Sequence, residues 1–247
     1  MYADTSNDLV RLAEISGDQT IVDLACGTGQ TTHALLSKVG SGATIHSLDS
    51  SPAMLRVAQS VIDDERVVWH EAKAEALADT VSDVDAVVCN SAIWQTDMPT
   101  TFAAVKATLR SGGRFVCNIG RQFLMLPFTE EELHPRAVGL HDLVHAIAVL
   151  EHGHIPRPGG RGRLLTIDGV AEELRHAGFN VIDTPELRYE DTVERQRDWL
   201  SIPIFTERSY PDLTIEQRQA SISSAYGRVA KASTTSRWIA FVAEKPA

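Results

Sequence analysis

The sequence predicts a doubly wound α/β fold, a mostly parallel sheet of about seven strands with helices on both faces. Three observations predict it. Strand-like apolar runs alternate with helical runs through the first half of the chain, and strands separated by helical crossovers run parallel. The run Asp85–Cys89 is apolar after its first residue, as expected of a strand buried on both faces. The stretch Thr20–Leu36, TIVDLACGTGQTTHALL, passes from an apolar run through a small-residue loop into a helical segment. Such sheets bind ligands against the backbone of loops like this one.

Each element follows from local pattern. Thr20–Leu24 reads as a strand and Thr31–Lys38 as a helix, then Ala43–Leu48 as a strand and Pro52 to about Ile62 as a helix. Val67–His70 is a short strand. A helix is expected over Pro99–Leu109, where Phe102, Val105 and Leu109 recur at helical spacing and Pro99 suits the first turn. The turn RSGG ends it, and Arg114–Ile119 forms the next strand. Residues 121–163 break the alternation with a helix over Pro135–Glu151 and then the loop GHIPRPGGRGR. A helix over Asp168–His176 and a strand near Asn180–Ile182 resume it. A second helical stretch includes Thr214–Lys231, opened by Thr214 with Gln217 three residues on, the pattern of a capping box. Arg237–Glu244 is the last strand. The expectation is one domain, 1–247, whose helical insertions at 121–163 and 191–233 form a lid.

The 247 residues carry 43% hydrophobic and 23% charged side chains and a net charge of −10. That balance fits a globular protein and disfavours nucleic acid as a partner. Cys26, Cys89 and Cys117 are far apart with no CxxC pair, so free thiols in a reducing compartment are expected. There is no signal-peptide pattern and no apolar run of about 18 residues. A cytoplasmic protein with no membrane partner is expected, its oligomeric state open.

The glycine loop excludes one cofactor and disfavours another. A nucleoside-triphosphate loop needs GxxxxGK[ST], and no lysine follows these glycines. A dinucleotide loop needs GxGxxG, and Thr32 stands at the third position. Asp23 ends the first strand. Asp49 ends the second, where an acid can hydrogen-bond ribose hydroxyls. Asn90–Trp94, NSAIW, follows the fourth strand at its carboxyl end.

Together these residues resemble the class I S-adenosylmethionine-dependent methyltransferases, in particular the small-molecule group similar to the ubiquinone-biosynthesis methyltransferases. The resemblance covers Ile21 to about Gly120 and extends loosely to Asn180 and the final strand. The loop DLACGTG resembles the family's acidic glycine loop, with Ala25 in place of the first glycine. AKAEALA, Ala72–Ala78, resembles the family's GDAEALP segment, and LRSGGRF resembles its LKPGGRF turn. The resemblance implies a Rossmann-like fold and S-adenosyl-L-methionine as cofactor. It implies that Asp23, Ala25, Gly27 and Gly29 form the loop on the amino-acid part of the cofactor. It also implies Asp49 on the ribose with Ser50 beside it, Met54 near adenine and Asn90 at the fourth strand's end. Where the family has an acid that accepts the adenine amino group, this chain has Lys73, which only donates. Adenine then relies on the backbone at Ala74 and on packing.

Methyl transfer needs alignment above all, worth ~7–11 kcal/mol. A general base, adding ~10²–10⁴-fold, matters only when the acceptor must lose a proton. Five of the nine histidines, His134, His141, His145, His152 and His154, fall in one segment. Four of them are spaced 7, 4 and 7, along one side of the expected helix beside an apolar stripe of Leu140, Val144 and Ile147. Three readings stay open: a helix surface, a catalytic base at His145 or His141, or a metal pair of those two with Glu151 or another histidine. A helix surface is the expectation for each histidine taken singly; His145, then His141, are the candidate catalytic residues, and no metal is expected. Arg157, Arg161 and Arg163 either clamp a substrate anion or solubilise a loop. Phe128, Trp199, Phe205, Tyr210 and Tyr226 either line an apolar pocket or pack the insertions. Cys26 and Cys89 are expected to pack as small apolar residues.

The expected function is methyl transfer to oxygen, nitrogen or carbon of a small-molecule acceptor. Two alternatives keep the cofactor: another reaction on the same scaffold, such as a cyclisation, or binding without catalysis. A nicotinamide oxidoreductase is disfavoured by Thr32.

Overall fold

The computed structural model describes residues 2–127, 129, 138–156, 165–231 and 233–247, with backbone only at 204, 205 and 208. The chain divides into two compact units, one of residues 1–125, 164–188 and 237–247, the other of 126–163 and 189–236.

The first unit begins with helix α1 (Tyr2–Leu12) and alternates through β1 (Thr20–Leu24), α2 (Gln30–Leu36), β2 (Thr44–Asp49), α3 (Pro52–Val61) and β3 (Val67–Glu71). It continues through the short α4 (Leu77–Thr80), β4 (Val84–Cys89), α5 (Met98–Thr108) and β5 (Leu109–Gly120). After the first inserted segment come α7 (Ile167–His176) and the strands β6 (Asn180–Asp183), β7 (Glu186–Asp191) and β8 (Thr234–Glu244). The strand order is β3-β2-β1-β4-β5-β8-β6, with β7 also on β8. β1 to β5 are mutually parallel, and β8 runs antiparallel to β5 and β6. Because β1 pairs with both β2 and β4, the chain reverses its direction of travel there. In open α/β sheets ligands bind outside the carboxyl ends of strands at such a reversal.

The core explains the order. β1 and β4 are buried almost throughout, and β8 is buried from Arg237 to Ala243. Phe102 of α5, Phe115 of β5, Phe241 and Trp238 are among the largest fully buried side chains. Helix starts follow capping chemistry. Ser51 accepts from the Met54 N–H ahead of Pro52, Asp97 accepts from Thr100, and Thr166 accepts from Gly169, each satisfying an otherwise unpaired donor.

Three features depart from expectation. Among the described residues the sheet has eight strands, where about seven are expected, because Glu186–Asp191 pairs with β8; four of its six residues are charged, which conceals the strand pattern. Helix α1 is additional, and its inner face buries Thr5 and Ser6 with Leu9 and Val10, so hydroxyls replace part of the apolar stripe. RSGG is drawn into β5: Gly112 N–H donates to Lys245 O and Lys245 N–H to Gly113 O, both at 2.9 Å.

The second unit contains α6 (Leu140–His152), α8 (Val193–Leu200), α9 (Pro203–Ser209) and α10 (Ile215–Arg228). Its own core gathers Leu140, Val144, Ile147 and Ala148 of α6 with Val193, Leu200, Tyr210, Leu213, Ile222, Ala225 and Val229, and Trp199 and Tyr226 pack against it. The expected apolar stripe is therefore the buried face of α6. The capping box is present, since Thr214 and Gln217 each bond the other's backbone N–H. The expected start of α6 at Pro135 lies outside the described residues, as do His134, Phe128, Arg157, Arg161 and Arg163; of Phe205 only the backbone is described.

Candidate functional site

The glycine loop joins β1 to α2 at the sheet's point of reversal. Ala25, Gly27 and Gly29 have φ of 56°, 56° and 86°, a left-handed path that glycine adopts without penalty. Gly29 is doubly constrained, because a Cβ there would lie 2.7 Å from Ile62 Cδ1 and 3.3 Å from Ala58 Cβ. Ala25 carries a Cβ through the same conformation, at a cost of ~1–2 kcal/mol. Its substitution for the family's first glycine is thus a strained choice. Ser91, just beyond β4, also has positive φ, 60°. Two strained non-glycine residues on one sheet edge fit a functional site.

Asp23 lies under the loop with 1% of its surface exposed. Thr32 donates from Oγ1 to Asp23 Oδ2 at 2.6 Å and lies 2.8 Å from Ser47 Oγ. The residue that breaks the dinucleotide pattern is therefore the tether of this acid. Among the described residues no group bonds Asp23 Oδ1. Burial, partly offset by the Thr32 bonds and reinforced by Asp49, pushes the Asp23 carboxyl up to about 7. A buried acid with one unsatisfied oxygen is matched to a cationic donor.

Asp49 braces the loop. Gly27 N–H donates to its Oδ2 and Ser51 N–H to its Oδ1, both at 2.8 Å. Ala72 N–H donates to Asp49 O, and Cys26 N–H to Leu48 O, so the ends of β1, β2 and β3 are laced together. Ser50 is exposed beside Asp49, and Met54 on the first turn of α3 is 37% exposed. Lys73 is exposed and Ala74 buried at the start of a single helical turn, Ala74–Ala76.

Asn90 enters a polar cluster invisible to motif reading. Its Nδ2 donates to Ser6 Oγ (2.9 Å), to Thr31 Oγ1 (3.3 Å) and to Tyr2 O (3.4 Å). Its Oδ1 accepts from Asn118 Nδ2 at 3.0 Å, and Asn118 Oδ1 accepts from Ser91 N–H at 2.6 Å. Four polar residues, from α1, α2, the turn after β4 and β5, thereby hold Ser91 in its left-handed turn. Ser6 and Asn118 belong to no motif, and their only sequence signal is polarity at buried positions. Trp94 stacks on Phe123 at 3.6 Å between centroids. Cys26 and Cys89 are buried, and burial drives both thiols well above their usual range, Cys89 to about 12. They pack as small apolar groups.

In the second unit the histidines separate. His141 meets Trp199 at 5.8 Å between ring centroids; protein atoms crowd its ring and lower its pKa below 6.5, although the residue keeps exposed surface. His145 is exposed and lies 5.7 Å from His154 and 6.2 Å from Tyr210. His154, singled out only as part of the histidine segment, is the buried member. Its side chain is 4% exposed, with Nδ1 2.6 Å from Asp212 Oδ1. Among the described residues no group of three or more His, Cys, Asp or Glu side chains is arranged to hold a metal ion, and no helix is long and apolar enough to cross a membrane.

Comparison with known proteins is consistent with this geometry. Residues 21–113 match a family described as a methyltransferase domain. Over 119 residues the chain is 33% identical to the malonyl-[acyl-carrier protein] O-methyltransferase of Hahella chejuensis, covering 48% of this chain and 42% of that protein. Over 118 residues it is 34% identical to the ubiquinone/menaquinone biosynthesis C-methyltransferase UbiE of Zymomonas mobilis, covering 45% of this chain and 46% of that protein. The chain thus spans less than half the length of these relatives. Among solved structures, the [4+2]-cyclase SpnF superposes with a TM-score of 0.63 at 14% identity, covering 99% of this chain and 81% of SpnF; at that identity the likeness shows the fold. The matched segment ends with the RSGG turn and contains the whole glycine loop with both strand-end acids. Residues 21–113 are a methyltransferase domain by this match, and the relatives named as methyltransferases support a class I S-adenosylmethionine-dependent methyltransferase family.

Proposed function

We propose that the protein binds S-adenosylmethionine and transfers its methyl group to a small-molecule acceptor by in-line displacement. The observation that carries this reading is Asp23: a buried carboxyl with one unsatisfied oxygen beneath a left-handed glycine loop. That arrangement suits the amino group of the cofactor's methionine part and offers nothing to a nicotinamide dinucleotide's phosphates. In this reading Ala25, Gly27 and Gly29 hold the amino-acid part, Asp49 and Ser50 the ribose, Met54, Lys73 and Ala74 border the adenine, and Asn90 stands at the end of the fourth strand. The bound sulfonium supplies an already activated methyl group. The chain's own task is to align the acceptor and exclude water. The curated relatives are named for O- and C-methylation, which supports a small acceptor.

Calorimetry with S-adenosylmethionine against NAD tests the cofactor, and the mass of the product tests the chemistry. Micromolar or tighter binding of the first and none of the second is expected; the reverse would end the proposal. A second reading retains the cofactor but not the transfer. It is favoured by Lys73, which puts a donor where the family has an acceptor. Product without an added methyl group, formed with S-adenosylmethionine unconsumed, would establish it.

A further inference from the structure

The second unit holds a cation whose inner donors meet nothing. Arg218 lies in the first turns of α10, its backbone N–H bonded to Thr214 O at 3.0 Å. The residue is half-buried, and its Nε and Nη1 are buried without a hydrogen-bond partner. The unit's other described cations are placed differently. Arg195 donates to Glu190 O at 2.8 Å, Arg197 to Asp198 Oδ1 at 2.6 Å and Arg228 to Glu151 Oε1 at 3.0 Å. Lys231 Nζ donates to Tyr226 O at 3.1 Å. Among the described residues Arg218 is the one cation with buried, unpaired donors.

Its place on the helix gives those donors a setting. The buried residues of α10 are Ser221, Ile222 and Ala225, three, four and seven positions on, so Arg218 shares their side. Ile215, three positions back on that side, is 43% exposed, whereas Ile222 is 4% exposed. The guanidinium therefore stands where the core-facing side of α10 runs out to the surface. Its neighbours on the helix do not pair with it. Ser221 Oγ donates to Gln217 O at 2.9 Å. The Glu216 carboxyl is held below its usual range first by its own backbone N–H, then by Thr214, and last by the Arg218 charge. Two positions apart on a helix, Glu216 and Arg218 do not face each other.

Burying a charged donor without a partner is costly, and a guanidinium cannot escape the cost by losing its proton. An arginine kept only for packing lays its stem on the core and leaves its head in water. Unpaired donors at the rim of an apolar core match a ligand that brings both oxygens and an apolar body. The planar guanidinium suits carboxylate and phosphate alike. One cation balances one negative charge. A phosphate dianion would need a second, and the unit's other described cations are committed to other oxygens. The balance favours a carboxylate.

We propose that Arg218 anchors a binding site for a small carboxylic acid on the second unit, with the carboxylate on the guanidinium and the apolar part against Ile215 and Ile222. The acid is held there and no bond in it changes. The site goes beyond the methyltransferase reading and does not depend on it.

The test uses the full chain at constant ionic strength, with benzoate and hexanoate as probes and benzyl alcohol and phenyl phosphate as controls. It reads the arginine Nε–H resonances by NMR, that of Arg218 being assigned by its loss in Arg218→Met. Calorimetry gives affinities, and thermal unfolding without probe gives stability. Benzoate or hexanoate should shift the Arg218 resonance, and R218M should weaken that probe by ~10–100-fold. Arg218→Lys keeps the charge but not the planar fork; it should recover only part of the loss, and it serves should R218M fold poorly. Without probe R218M should unfold at the wild-type temperature or above, because it removes an unpaired buried charge. The inference is overturned if neither carboxylate moves the resonance, or if either variant binds the probe as tightly as the wild type. It is overturned too if benzyl alcohol binds as tightly as benzoate, or if phenyl phosphate binds in preference to both carboxylates. A clear loss of stability in folded R218M would assign the guanidinium to the fold and overturn it as well. Failure of the wild type to bind S-adenosylmethionine would overturn the methyltransferase reading and leave this inference standing.

Discussion

The two units place their chemical groups by different means. In the first, position comes from backbone: Asp23 and Asp49 end adjacent parallel strands, and glycines with positive φ carry the chain between them. In the second, position comes from contacts between segments distant in sequence, such as His154 with Asp212 or Arg228 with Glu151. Backbone placement tolerates little change in the residues that bend the chain. Contact placement depends on the helical core that brings the segments together.

Four substitutions sharpen or break that contrast. The largest effect is expected at Asp23. Its folded carboxyl titrates near 7, above the usual 3.8. The unfolded chain therefore ionises first, and stability falls as pH rises from about 4 to 7, by on the order of 4 kcal/mol, and then levels off. Asp23→Asn should remove that slope in urea titrations at several pH values. It should also weaken S-adenosylmethionine by ~1.5–3 kcal/mol. In the wild type, affinity should rise with pH through about 7, as the acid ionises to meet a cation. A wild-type stability that is flat between pH 4 and 7 would remove the physical basis for placing a cation there.

Next is Ile147→Ala in the core of the second unit, expected to cost about 3 kcal/mol by leaving a cavity. If the units divide their labour, S-adenosylmethionine affinity should stay within a factor of two or so, a difference of only ~0.4 kcal/mol. A large loss of affinity would break the contrast. Gly29→Ala should cost about 2 kcal/mol, from a left-handed φ and from crowding against Ile62, and should abolish tight cofactor binding. The smallest effect is a gain: Ala25→Gly relieves a left-handed alanine and should stabilise by about 1 kcal/mol. Thermal unfolding with and without S-adenosylmethionine reads both.

The same contrast decides what could be read in the sequence. The order of strands and longer helices from Thr20 to Gly120 was legible because a parallel strand buried on both faces is an apolar run, and a loop needing positive φ is rich in glycine. The acids at strand ends were legible for the same reason, since a ladder of parallel strands puts successive carboxyl termini on one edge. Other features left little trace. Ser6, Thr31 and Asn118 are polar residues whose meaning lies in their mutual distances. β7 was hidden by Glu186, Arg188, Glu190 and Asp191, which an exposed strand tolerates. The histidine segment drew attention for its spacing along α6. The member with a built partner, His154, sits past the helix end, and Asp212 has no feature of its own to connect it with that segment.

Asp49 carries a consequence for any affinity measured at this site. Its two oxygens already accept the Gly27 and Ser51 N–H groups, so a sugar diol approaching it competes with the protein's own peptides or shares their lone pairs. Where the diol displaces a peptide N–H, binding would be an exchange of donors, and the observed free energy the difference between a hydroxyl's hydrogen bond and a peptide's. Removing the carboxylate would delete both sides of that exchange and unlatch the loop as well. Asp49→Ala therefore measures the latch and the ligand together. A cofactor analogue lacking its ribose hydroxyls, set against the intact wild-type protein, isolates the ligand's share.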